Sequence, residues 1–248
     1  MSGILYLVPN LLGAVPPATV LPQRTLDVAR RLAHWIVETP KPARAFLRTL
    51  DLAVPIAALD IRPIAESITV DESAALLAAA RQGSDVGLLS DAGCPGVADP
   101  GAAVVAAAHT AGIRVVPLVG PSAILLALMA SGMNGQRFAF HGYLPVKAAA
   151  RESALRALEN DSRTQRRAQL FIETPYRNAA MLAALANGLA PATAVCIAAD
   201  LTLPTETVER RTALEWRRQD LTRFDKRPAV YVFEAIAPRP PASPRCSF

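Results

Sequence analysis

The chain has 248 residues, 52% of them hydrophobic and 19% charged, with a mean hydropathy of +0.25. That balance excludes disorder over most of the length and allows a sizeable core, as one large domain or two smaller ones. The formal net charge of +5 favours a polyanionic partner only weakly, and nearly all of the 26 basic residues are Arg, with Lys at positions 41, 147 and 226 alone.

In chain order, residues 4–8 read as a buried strand, 26–34 as a helix and 35–38 as a strand. An Ala/Leu-rich helix is expected over 71–82, with Asp71 as its N-cap. Strands at 86–89 and 113–118 bracket a helix at 100–111. A helix at 121–131 leads to a strand at 137–141, and a polar helix near 151–159 to a strand at 169–172. A helix at 175–187 and strands at 193–198 and 230–233 close the pattern. This alternation predicts an α/β protein with largely parallel sheets. The segment 143–167 is polar and basic, and the Pro-rich tail 238–248 is expected to be disordered.

Several chemistries are excluded by absence of their motifs. There is no G-x-G, no Gly-Lys pair and no G-x-S-x-G, which removes the dinucleotide fingerprint, the Walker loop and the serine elbow. Cys94, Cys196 and Cys246 are odd in number and far apart, and His34, His109 and His141 stand alone. No disulfide framework and no metal site is therefore expected. No apolar run approaches the roughly 20 residues of a membrane span, and the first residues lack the basic start of a signal peptide. A cytoplasmic protein without a membrane partner is the expectation.

Three strand-to-helix loops carry the information. The first, 90–101, holds Asp91, Ala92, Gly93 and Cys94, and then Asp99 and Pro100 at a helix start. Such loops at the carboxyl ends of strands are where open α/β sheets bind ligands, although a tight connection is an equal reading. The second runs Val119-Gly120-Pro121-Ser122-Ala123, with Pro121 expected at the first helical position and the Ser122 and Ala123 amides at a helix N-terminus. Simple capping explains this loop as readily. The third is Glu173-Thr174-Pro175-Tyr176-Arg177, where Thr174 is a good N-cap and Pro175 a good first residue.

Taken in order, these segments resemble the tetrapyrrole methylase superfamily, and within it the branch that methylates a ribose 2′-hydroxyl of small-subunit ribosomal RNA. Residues 89–95 are similar to its "S-D-A-G-T-P" loop, with Cys94 in place of Thr, and 98–101 match the "D-P-G" that follows. Residues 111–118 resemble "A-G-I-x-V-V-P-L", and 120–123 resemble the end of "P-G-P-x-A". Residues 137–145, 171–177 and 200–207 are similar to "R-F…G-F-L-P", "F-Y-E-x-P-H-R" and "E-L-T-K…E-T". The resemblance covers about residues 3–235. It departs near the start: the "G-N-L-x-D-I-T" after the first strand is missing, and the "E-D-T-R" reads Glu38-Thr39-Pro40-Lys41.

The resemblance implies a two-lobed tetrapyrrole methylase-like α/β fold, each lobe a mostly parallel sheet flanked by helices. The lobes are expected at 1–118 and 119–237. It also implies an S-adenosylmethionine (SAM)-dependent methyltransferase, a homodimer, and ribosomal RNA or the small ribosomal subunit as partner. Pro9, Asp91, Ala92, Gly93, Cys94, Ser122 and Ala123 would hold SAM from the first lobe. Thr174, Ala198, Pro228 and Ala229 would do so from the second. Glu38, at a strand end, is the best acid for deprotonating an acceptor hydroxyl, with Glu206 a weaker candidate; a capping role for Glu38 stays open. Arg residues within 163–167 and 210–227 are candidate phosphate contacts. A tetrapyrrole or other small-molecule acceptor, or a non-catalytic SAM-binding module, are the competing readings.

Overall fold

The structure, a computed structural model, describes residues 2–65 and 68–235. The Pro-rich tail 238–248 lies outside the described residues. The chain divides after Ala123 into two units, each built on a five-stranded sheet. Among the described residues, no helix is long and apolar enough to cross a membrane.

In the first unit, β1 (Ile4–Val8), β2 (His34–Val37), β3 (Asp60–Pro63), β4 (Val86–Leu89) and β5 (Arg114–Pro117) lie in the order β3-β2-β4-β1-β5. Every neighbouring pair is parallel. The helices are α1 (Gln23–Arg31), α2 (Pro40–Leu47), α3 (Val70–Leu76), α4 (Ala78–Arg81) and α5 (Gly101–Thr110). A parallel strand covered on both faces must be apolar on both sides, which is why β1 reads ILYLV and β4 reads VGLL without alternation. Successive residues still part to opposite faces. Tyr6, Val37 and Leu89 pack with Leu26, Phe46 and Leu47, whereas Leu5, Ile36 and Leu88 pack with Leu77, Val104 and Ala108.

The register sets the strand ends level. Val8 and Val37 both pair with Leu89, and Leu7 pairs with Pro117. The loops after β1, β2, β4 and β5 therefore leave the sheet along one edge. The helix expected over 71–82 is instead α3 and α4, and Thr69 rather than Asp71 is its N-cap. Thr69 Oγ1 accepts from the Glu72 amide at 3.2 Å while Glu72 Oε2 accepts from the Thr69 amide at 2.8 Å. This Thr-x-x-Glu box satisfies two amides at once, an advantage Asp71 lacks.

In the second unit, β6 (Phe138–Tyr143), β7 (Ala168–Glu173), β8 (Ala194–Ala199), β9 (Thr207–Thr212) and β10 (Ala229–Glu234) lie in the order β6-β7-β10-β8-β9. Its helices are α6 (Ala123–Ser131), which starts at the division, α7 (Ala148–Gln165), α8 (Asn178–Gly188) and α9 (Ala213–Trp216). Only β6 and β7 pair parallel; β10 is antiparallel to both β7 and β8, and β9 is antiparallel to β8. The α/β class stands, but the expectation of a mostly parallel sheet holds for the first unit and is corrected in the second. Strands β7 and β8 do run the same way across α8, as the alternation demands. Strand β10 then inserts between them, and the short link 200–206 allows β8 and β9 only antiparallel pairing. Alternation reports strand direction, not which strands are neighbours.

Strand β9, with the sequence TVERRT, sits at the sheet edge and is signalled by no apolar alternation. The core of this unit is aromatic: Phe171 stacks on Tyr231 at 5.0 Å, with Trp216, Phe224, Met181 and Leu185 in the same cluster. Ala229 pairs with both Glu173 and Ala199, and Ala199 with Thr207. The turns after β7, after β8 and before β10 therefore emerge at one end of the sheet.

Candidate functional site

The strand-end loops of the first unit are tied to one another through main-chain groups. Pro9 follows β1 and is buried, and the next residue, Asn10, pins the loop after β4. Its amide donates to Gly93 O at 2.9 Å, and its Nδ2 donates to Ser90 O at 2.9 Å and Asp91 O at 3.0 Å. Ser90 Oγ donates to Ala92 O at 3.1 Å and Gly93 O at 3.2 Å. Gly93 has φ +69°, a conformation that suits glycine. The Cys94 thiol donates to Pro121 O at 3.5 Å, which joins this loop to the one after β5. A Cβ on Gly120 would lie 2.3 Å from Pro9 Cβ, so glycine is required there by the approach of the β1 loop. Pro9, residues 91–94 and residues 120–123 are thus assembled on one rim. One expectation is corrected: α6 begins at Ala123, so Pro121 is not its first residue. Pro121 stays in the strand-end turn because it is buried there and its carbonyl is held by the Cys94 thiol.

Beside this rim, Asp91 is tied to the end of β2 by two hydrogen bonds, one to Glu38 and one from Thr39. The Asp91 amide donates to Glu38 Oε2 at 2.9 Å, and the Thr39 amide donates to Asp91 Oδ1 at 3.1 Å. The Glu38 amide is itself held by Leu89 O at 3.1 Å, which fixes the residue at the end of β2. Asp99 takes the Gly96 amide at 2.9 Å and the Gly101 amide at 2.7 Å, holding the start of α5 from outside the helix. Glu38 and Asp99 line a cavity of about 520 Å³ together with Thr39, Ile64, Ala98 and Pro100. Burial pushes the Glu38 carboxyl above the ordinary carboxylate range; the Asp91 amide opposes this, and the charges of Asp91 and Asp99 add to it. Burial also raises Asp99, against the Gly101 and Gly96 amides and with the Asp91 charge. Burial raises the Cys94 thiol as well, so it is a hydrogen-bond donor rather than a thiolate nucleophile at neutral pH. A carboxylate of raised proton affinity beside a cavity can accept a proton from a hydroxyl.

The second unit brings its own residues together at one sheet end. Thr174 N-caps the short turn Pro175–Arg177 without a side-chain cap bond; its amide and Oγ1 both turn back to Glu173 Oε1, at 2.8 and 3.2 Å. Glu173 is buried and pairs with Arg177 at 3.1 Å. The Asp200 amide donates to Pro228 O, and the Lys226 amide to Pro175 O, each at 2.9 Å. Thr174, Pro228 and Ala229 therefore share this end. Ala198 lies one residue inside β8, buried and on the opposite sheet face from Ala199.

Most of the arginines proposed for phosphate are already engaged. Arg163 pairs with Glu159, Arg167 with Asp161, Arg211 and Arg223 with Glu209, and Arg227 with Asp200. Arg217 Nε donates to Ala186 O at 2.8 Å, and Arg166, Arg210 and Arg218 are exposed and make no such ion pair among the described residues. Glu206 Oε2 accepts from the Thr202 amide at 2.7 Å, a loop-closing role. The residues that sequence reasoning missed are Asn10, Asp99 as a cavity wall and the Glu173–Arg177 pair. Only Asn10 left a signal, an Asx residue directly after a strand and a proline.

Residues 19–216 match the family described as Tetrapyrrole (Corrin/Porphyrin) Methylases. The chain is 39% identical over 187 residues to the ribosomal RNA small subunit methyltransferase I of Micromonospora olivasterospora, covering 75% of this chain and 55% of that protein. It is 32% identical over 225 residues to the protein of the same name from Escherichia coli O157:H7, covering 90% of this chain and 74% of that one. Among solved structures, the methyltransferase CobJ matches with a TM-score of 0.63 at 19% identity, over 96% of both chains. The uroporphyrin-III-C-methyltransferase of Thermus thermophilus matches with a TM-score of 0.56 at 20% identity, over 94% of this chain and 93% of that one. At these identities the structural likeness bears on the fold alone.

Proposed function

The chain belongs to the tetrapyrrole methylase family, and we propose that it transfers a methyl group from SAM to a ribose 2′-hydroxyl of small-subunit ribosomal RNA. The observation that carries this reading is the hydrogen bond from the Asp91 amide to the Glu38 carboxylate. It couples a carboxyl group of raised proton affinity to the loop that resembles the family's cofactor loop. The names of the relatives support the acceptor class.

The donor set fits SAM. SAM is a sulfonium with an ammonium group and a ribose diol, and the first unit offers the carboxylates of Asp91 and Asp99 together with main-chain groups of the Gly93 turn. The first-unit residues proposed to hold SAM are Pro9, Asp91, Ala92, Gly93, Cys94, Ser122 and Ala123. When bound, SAM supplies an activated methyl group. The protein's part is alignment, exclusion of water and proton handling. Glu38 receives the hydroxyl proton as the acceptor oxygen attacks. The Asp91 amide holds Glu38 Oε2 in place, and the Cys94 and Asn10 contacts keep the cofactor loop rigid, so little order has to be gained on binding.

Arg166, Arg210 and Arg218 are the arginines of the two basic clusters left for phosphate. A homodimer belongs to the same proposal, supported by Leu125 and Met129, exposed one helical turn apart on α6. So does a cytoplasmic location, which a ribosomal acceptor requires. The test is calorimetric titration with SAM and S-adenosylhomocysteine, followed by methyl transfer to undermethylated small ribosomal subunits. Asp91→Ala is expected to weaken binding roughly 30-fold, about 2 kcal/mol for a charged hydrogen bond. Unchanged affinity in that variant would remove the 91–94 loop from the cofactor site.

A further inference from the structure

Helix α2 carries charge of one sign only. Residues 39–50 hold Lys41, Arg44 and Arg48 and no acidic residue, in a chain whose 26 basic residues stand against 21 acidic ones. The three cations are spaced i, i+3 and i+7, and Arg48, the C-cap, keeps helical geometry. A helix at 3.6 residues per turn places them within about 60° of one another, on one face. The opposite face is spent on the core: Ala43, Phe46, Leu47 and Leu50 are buried, whereas Lys41, Arg44 and Arg48 are exposed. Arg30 pairs with Asp27, Arg31 with Asp85 and Arg62 with Asp60. Lys41, Arg44 and Arg48 make no ion pair among the described residues.

This row of cations starts at the cavity. Thr39, the N-cap of α2, lines that cavity beside Glu38. The Thr39 amide donates to Asp91 Oδ1 at 3.1 Å, and the Thr39 carbonyl accepts from the Ala43 amide at 3.2 Å. Pro40 and Pro42 stiffen the first turn. The unpaired charges therefore run outward from the cavity wall for about 10 Å along a fixed helix, the length of about three stacked nucleotides. Such a row suits a polyanion with regularly spaced charges. It does not suit an anionic membrane surface, because an interfacial helix needs a free apolar face and that of α2 is buried.

We propose that the solvent face of α2, formed by Lys41, Arg44 and Arg48, is an RNA-docking surface that binds the sugar–phosphate backbone beside the acceptor nucleotide and brings that nucleotide's ribose to Glu38. The proposal rests on the reading of the chain as an RNA methyltransferase. Phosphate contacts fix the register of a nucleic acid without reading its sequence, so α2 sets which ribose along the strand reaches the cavity.

The experiment compares wild type with three variants. One is the triple Lys41→Gln, Arg44→Gln, Arg48→Gln. The second keeps the charge, as Lys41→Arg, Arg44→Lys, Arg48→Lys. The third is Arg114→Gln, which removes an exposed cation from the opposite end of the same sheet. Each is measured by thermal melting, by titration with S-adenosylhomocysteine, by binding to deproteinised small-subunit ribosomal RNA over a series of salt concentrations, and by methyl transfer to undermethylated small subunits. Gln is as good a helix former as Lys or Arg, so the glutamine triple is expected to melt and to bind S-adenosylhomocysteine as wild type does. Its slope of log affinity against log salt is expected to fall by about 2, since each phosphate contact on a single strand contributes about 0.7. Its KM for the subunit is expected to rise about ten-fold with kcat within about two-fold. The charge-preserving triple should bind RNA within about three-fold of wild type, and Arg114→Gln should keep the wild-type slope. A wild-type slope and KM in the glutamine triple would overturn the proposal and leave the methyltransferase reading standing. A raised KM with a wild-type slope on naked RNA would also overturn it, because the face would then meet a ribosomal protein. An equal loss of slope in Arg114→Gln would overturn it as well, since binding would then follow net charge alone. If wild type binds S-adenosylhomocysteine but neither binds the RNA nor methylates the subunit, the RNA reading falls and this proposal falls with it.

Discussion

The strand-end loops of the first unit are held by bonds that each involve a main-chain group, and those of the second also by ion pairs between side chains. In the first, Asn10, Ser90 and Gly93 exchange hydrogen bonds with main-chain groups, and Pro9 closes on Gly120 with no room for a methyl group. In the second, Arg227 binds Asp200 and Thr207, Arg223 binds Glu209, and Arg177 binds Glu173. The difference follows from topology. Parallel strands return through helices, so their carboxyl-end loops lie side by side and meet through their own backbones. Hairpin turns and a late-inserted strand connect much of the second unit, and charged side chains there link segments 27 and 14 residues apart, Arg227 to Asp200 and Arg223 to Glu209. The two ends should therefore fail in different ways: the first to added atoms, the second to lost charge.

The largest effect is expected at Arg227. Asp200 is only 7% exposed, so Arg227→Ala leaves a nearly buried carboxylate without its partner. A stability loss of about 3 kcal/mol in urea unfolding is expected. A loss under about 0.5 kcal/mol would show that charge does not hold the second end. Next is Glu38→Gln, which keeps an oxygen for the Asp91 amide but cannot take up a proton. Methyl transfer should fall about 100-fold with cofactor affinity preserved; a fall in affinity without a fall in rate would make Glu38 a clamp for the loop instead. Gly120→Ala should destabilise by about 2 kcal/mol, the usual cost of forcing an extra carbon into a filled space, measured by the same unfolding curves.

The smallest effect concerns pH. Glu38 is raised above its unfolded value, so folding takes up a proton at this site. Its contribution to stability is full below the ordinary carboxylate range and is lost as pH rises through the raised value. Glu38→Gln should therefore be slightly more stable than wild type at neutral pH, by under about 1 kcal/mol, with the difference vanishing in acid. The wild-type methyl-transfer rate should rise with pH through the same raised value, because the base must be deprotonated.

Much of the first unit was legible in the sequence. Strands β1 and β4 are short apolar runs bounded by breakers, and the loops beyond them carry Asp, Gly and Pro at spacings that announce a strand-to-helix connection. The partnership of Glu38 with Asp91 was not legible, because it joins residues from different loops through a pairing that only the sheet order creates. The second unit was harder to read. Its strand β9 is a charged edge strand, and the turn before β10 has no helix to mark it. The apolar pattern of Ala229–Glu234 reports a buried strand but not that it enters between β7 and β8.

The order of amino acids by itself determined the α/β class, the positions of most strands, and the loops around Asp91, Gly120 and Thr174. These depend on local properties: apolar runs, capping residues and the backbone preferences of Gly and Pro. The tertiary structure alone decided that the second sheet is mostly antiparallel, that Glu38 carries a raised proton affinity, and that most of the arginines in the two basic clusters are already paired. Burial, strand insertion and the summed field of distant charges arise from long-range packing, and no short stretch of sequence encodes them.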